Sequence, residues 1–152
     1  MFLANYLGLL HQSELDLAEG FRKVAEGHAA EADVYHVCNT LAKQCDAHAE
    51  GLKPFVDRYG EQRDEEPERL YHELFDEVRQ GSLGLLRDLQ DLYVMAQFCD
   101  ITWTMIGQAA LGARDRELLE VVETCEGQTA AQIKWLKTRM KQAAPQVLLV
   151  AA

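Results

Sequence analysis

The sequence predicts an all-α protein, an antiparallel four-helix bundle in which a long crossover carrying a short extra helix joins the second and third long helices. Three observations carry this. Apolar residues recur in alternating steps of three and four along four long segments, which lays one continuous stripe on each helix. No segment shows a convincing period of two, so strands are not expected. Glycine, proline and short polar runs punctuate the segments where helices would begin and end.

The first stripe, over about 2–27, is Leu3, Leu7, Leu10, Glu14, Leu17, Phe21 and Val24, and it ends near Gly27. Every member but Glu14 is apolar. After a short loop the pattern resumes over about 31–59 as Val34, Cys38, Leu41, Cys45, His48, Leu52, Phe55 and Tyr59, with Gly60 as its stop. Pro54 removes one backbone donor inside this helix, so a kink or an altered last turn is expected there.

Residues 60–66, GEQRDEE, are too charged for a core and read as exposed linker. Pro67 suits the first turn of a short helix over about 67–80, with Leu70, Leu74, Phe75 and Val78 as its narrow apolar face and Gly81 as its end. Ser82 is the expected cap of the third long helix, over about 82–111. Its stripe is Leu85, Leu89, Leu92, Ala96, Cys99, Trp103, Ile106 and Ala110, ending at Gly112. Asp115 is the expected N-cap of the fourth, over about 115–142. Its stripe is Leu118, Val122, Cys125, Thr129, Gln132, Leu136 and Met140, stopping before Pro145. Two tight hairpins joined by a long connection imply a bundle with one crossover, which lets the second and third helices run parallel. A simple up-down bundle with a fifth appended helix is the other topology this pattern admits.

The chain has 152 residues, 48% hydrophobic and 26% charged, with three prolines, the proportions of one compact domain over 1–152. Its net charge of −10 repels phosphate backbones and anionic headgroups, so neither a nucleic acid nor a membrane is an expected partner. The opening residues lack a basic region and a small-residue cleavage site, and the apolar tail from Val147 to Ala152 is too short to span a bilayer. A cytoplasmic location with four reduced cysteines is expected. The tail, residues 145–152, places four consecutive apolar residues past the last helix. They either fold back on the bundle or form an interface with a second copy or another protein.

Residues equally far from a tight loop lie side by side in an antiparallel hairpin. In the first hairpin this sets Glu14 opposite Cys45 and His11 near His48, so Glu14, Cys45 and His48 converge as groups able to bind a metal. The second hairpin pairs Ala96 with Thr129 and Leu92 with Gln132, and brings Cys99 and Cys125 to similar levels, where they could form a redox pair. Asp91, Asp100, Glu123 and Glu126 flank its stripe and are expected to face water, as are His28, His36 and His72. No phosphate loop, nucleophile elbow or paired Cys-x-x-Cys is present.

On these residues the chain resembles the ferritin-like superfamily, in particular bacterioferritin and rubrerythrin relatives. The family's metal pattern is a Glu on the first and third helices and Glu-x-x-His on the second and fourth. Cys45-Asp46-Ala47-His48 looks like the second-helix motif with Cys in place of Glu. Thr129-Ala130-Ala131-Gln132, followed by Trp135-Leu136, looks like the fourth-helix motif with both ligands replaced. The resemblance places the first-helix ligand on Glu14 and the third on Ala96, so a di-metal site is mostly lost. Two functional expectations follow. One is a non-catalytic bundle with a degenerate metal site and no cofactor, acting as a small accessory or interaction protein, as a homodimer or through the tail. The other is a mononuclear metal-binding or redox protein holding one zinc or iron ion with Glu14, Cys45 and His48. There His11 serves as a fourth ligand or as a group orienting one.

Overall fold

A computed structural model describes residues 1–60 and 76–150. Four long helices, α1 (Leu3–Gly27), α2 (Ala32–Gly60), α3 (Gly81–Ala113) and α4 (Arg116–Pro145), form an all-α bundle, and no strand occurs among the described residues. The stripes turn inward as their spacing requires. Leu7, Leu17 and Phe21 of α1, Leu52 of α2, Leu92 and Trp103 of α3, and Leu136 of α4 are fully buried in one core.

Contacts along the helices set their directions. Going down α1 from His28 to Glu14, the partners on α3 rise from Asp88 to Trp103. Going down α2 from Tyr59 to His48, the partners on α4 rise from Asp115 to Gln128. The α1–α3 and α2–α4 pairs are therefore antiparallel, as is the α1–α2 hairpin with its Arg22–Asp46 ion pair. It follows that α2 and α3 run the same way, and Gly60 and Gly81 sit at opposite ends of the bundle. This is the order of a bundle with a crossover rather than of an up-down bundle. The expected short helix falls mainly on residues 67–75, outside the described residues, and residues 76–80 are not helical.

The helix ends depart from the sequence reading in three places. Ser82 does not cap α3. Gly81 adopts φ 75, in the left-handed region, and the helix starts there, which puts Ser82 inside the first turn. Gly112 does not end α3 either. The helix runs on to Ala113 and closes on Arg114, at φ 55, whose N–H bonds to the carbonyls of Ala110 and Leu111. At the C-terminus α4 includes Pro145, and Gln146–Val150 continue as a π-helix. A proline there removes one donor and crowds the carbonyl four residues back, which a wider turn relieves. Asp115 does cap α4, accepting the Leu118 N–H at 3.1 Å.

Candidate functional site: a buried carboxylate at the centre of the bundle

Glu14 is the polar member of the α1 stripe, and the geometry that buries its apolar neighbours buries it completely. Its Oε1 accepts a hydrogen bond from the indole Nε1 of Trp103 on α3 at 2.9 Å. His48 of α2 faces it, with Nδ1 3.3 Å from the same oxygen, and the imidazole stands edge-on to the Trp103 ring. The other imidazole nitrogen, Nε2, lies 2.7 Å from Oε1 of Gln128 on α4. Glu14 Oε2 and His48 Nδ1 are both buried without a hydrogen-bond partner. Burial lowers the affinity of the His48 ring for a proton, but the Glu14 carboxylate and the Gln128 amide outweigh it and hold the imidazole above its ordinary value.

Cys45, one turn before His48, meets Gln132 of α4 instead of completing a ligand set. Its Sγ lies 3.8 Å from Gln132 Oε1 and 3.6 Å from Nε2, and that amide also donates to Gln44 Oε1 at 3.1 Å. Burial pushes the Cys45 thiol well up, and the negative charge of Glu14 pushes it further. Burial and Glu14 do the same to Cys99, while burial takes Cys38 and Cys125 to about 12. All four cysteines are free and buried, and none is activated as a thiolate. Of the other residues on these stripes, Ala96 packs in the core and the Thr129 hydroxyl bonds back to the Cys125 carbonyl at 2.8 Å.

Glu14 faces both Cys45 and His48, which stand one turn apart on α2. His11 is half-buried and supplies no hydrogen bond or ion pair to this group among the described residues. No three His, Cys, Asp or Glu side chains among the described residues are gathered into a group that could hold a metal ion. Sequence reasoning missed two members of the centre. Trp103 reads as packing, yet its N–H is the strongest contact Glu14 makes. Gln128 lies one position off the α4 stripe, and only its place opposite His48 could have signalled it.

A second polar cluster closes the end of the bundle beside the α1–α2 turn, and it corrects the surface placement expected for His28. That ring is buried, with Nε2 2.8 Å from Oδ2 of the fully buried Asp88 on α3. Asp88 also accepts from the Arg79 backbone N–H at 2.9 Å and from its guanidinium at 2.7 Å. Arg79 reaches Asp91 at 2.8 Å, and Arg87 pairs with the same carboxylate. Asp91 is thus held between two arginines instead of simply facing water. His36 is exposed as expected, and His72 lies outside the described residues.

No helix of the described residues is long and apolar enough to cross a membrane. The chain matches no protein-family model, no curated protein and no solved structure.

Proposed function

We propose that this protein is a non-catalytic, ferritin-like helical bundle with a degenerate metal site, working as a small cytoplasmic accessory or interaction protein and as a homodimer. One observation carries the reading: where the family resemblance calls for carboxylate and histidine ligands, the bundle centre holds Ala96, Thr129 and Gln132, and the surviving Glu14 is bonded to an indole. Alanine, threonine and glutamine carry no charge to balance two cations, so on this reading the centre lacks the charge that the family's chemistry requires.

A second reading has its own support. Glu14 Oε2 and His48 Nδ1 are buried without partners, and Cys45 lies one turn away on α2. Such a set suits a single zinc or iron ion, with His11 as the added group if α1 adjusts. Elemental analysis of untagged protein purified without chelator separates the two, with His48→Ala as control. The accessory reading expects no stoichiometric metal in either sample. About one zinc or iron per chain, lost in the control, overturns it in favour of the metal protein.

A further inference from the structure

The third helix differs from the other three on its outer side. Between Leu92 and Ala113 its only charged residue is Asp100, in a chain that carries 25 acidic and 15 basic residues. Its core face is Leu92, Ala96, Cys99, Trp103 and Ile106. On the opposite face, at steps of four, three and four, stand Val94, Phe98, Ile101 and Met105. Val94 is 50% exposed, Ile101 53% and Met105 42%, with Phe98 half-buried between them. Phe2, 57% exposed, extends the patch, because Phe2, Leu3 and Tyr6 of the chain start line one apolar cleft with Met105 and Ala109. Asp100 is off this face, beside Glu126 of α4, and burial and that neighbour push its carboxyl up.

From this we infer that the outer face of α3 is the surface on which two copies of the chain associate, about a two-fold axis close to Phe98 and Ile101. The 4-3-4 spacing is the one with which two helices interlock side chains, and an isologous contact repeats it on both sides. The five apolar side chains leave roughly 400–500 Å² bare, the size of the largest apolar patch of a monomer, which is often functional. With the uncharged Gln97, Thr104, Gln108 and Ala109 around them, the face approaches the roughly 800 Å² per partner of a stable association. A second copy is also a partner that brings no charge to Val94, Phe98, Ile101 and Met105, so pairing leaves Glu126, bonded to Thr104 at 3.1 Å, at the rim and most of the −10 charge of each chain on other faces. The inference rests on the homodimer of the proposed function, to which it adds the contact face, and does not depend on whether the bundle centre holds a metal.

Sedimentation equilibrium of the full chain at micromolar concentrations is the test. The wild type is expected at twice its 17.2 kDa chain mass. Added salt should tighten the dimer, because it screens the repulsion of two acidic chains. Ile101→Asp and Met105→Glu lie on exposed positions and should keep the helical circular dichroism while weakening the dimer about tenfold or more. Truncation after Pro145 should leave it intact. A wild-type monomer overturns the proposal, and so does a dimer that survives both substitutions or that only the tail truncation dissolves. A monomer that floats with phosphatidylcholine vesicles would assign the face to lipid instead, and would equally overturn it.

Discussion

Two buried carboxylates, Glu14 at the centre of the bundle and Asp88 at its end, are both completely withdrawn from solvent and both meet a histidine. They differ in how fully they are satisfied. Asp88 has His28 and the Arg79 N–H on one oxygen and the Arg79 guanidinium on the other, so its charge is neutralised by a cation. Glu14 has one indole N–H on Oε1, nothing on Oε2, and an imidazole that approaches without a hydrogen bond. Burial alone therefore does not reveal what a carboxylate does. Asp88 is a tie: it fastens the end of the long connection, at Arg79, to α3 and to the turn between α1 and α2. The incomplete set around Glu14 fastens no such connection.

The largest effect follows directly. Asp88→Asn leaves His28 buried without its charged partner and releases Arg79, and is expected to destabilise the fold by about 3 kcal/mol in urea unfolding. Glu14→Gln keeps an acceptor for Trp103 and removes an under-satisfied charge, and should change stability by no more than about 1 kcal/mol in either direction. Equal costs at the two positions would remove the distinction between a tie and a remnant.

The same contrast recurs at helix starts. Asp115 caps α4 and also accepts from Arg58 at 2.9 Å and from Tyr59 at 2.7 Å, joining α2 to α4 at the far end of the bundle. The guanidinium and phenol beside it hold its carboxyl below the usual range although burial opposes this. Asp115→Ala is expected to lower stability by about 1–2 kcal/mol, and Ser82→Ala, which removes no cap, by no more than about 0.5 kcal/mol. Thermal melts of the two variants side by side check this. A Ser82→Ala loss as large as that of Asp115→Ala would mean that Ser82 caps α3, as its sequence suggests, and that the helix starts two residues later.

These positions also mark how far the sequence is legible. Helix periods are local, so the four stripes and the identity of Glu14 and His48 as polar members of the core could be read from spacing alone. Which residues meet across helices depends on crossing angle and loop shape, and the Gln128 and Trp103 contacts of His48 and Glu14 are what spacing alone does not give. The Asp88 cluster was invisible for a stronger reason. It joins residues 28, 79 and 88 through a turn, a connection and a helix, and His28 sits on no stripe. Its one sequence signal is Asp88 itself, an acid on the apolar side of α3 between Leu85 and Leu92. The tail illustrates the converse. Its apolarity predicts either cover or contact, and in the single chain Leu149 is 85% exposed. Yet Gln146–Val150 also touch α3 and Val147 is half-buried, so cover and contact both stay open for the tail, while the broader bare surface lies on α3.

The smallest effect is the proton linkage of His48. Its imidazole is held above the ordinary value of 6.5 in the folded chain by Glu14 and Gln128, despite burial. A group raised on folding binds its proton more tightly in the native state, so its contribution is fully present below pH 6.5 and fades as pH rises through the folded value. Urea midpoints of the metal-free protein should therefore drift down from about pH 6 to about pH 7.5, below the range in which the four buried thiols, also raised on folding, add a decline of their own. The drift should shrink in Glu14→Gln, because the charge that raises His48 is gone, and vanish in His48→Gln. A drift that persists unchanged in Glu14→Gln would show that the Glu14 carboxylate is not what holds the proton on His48.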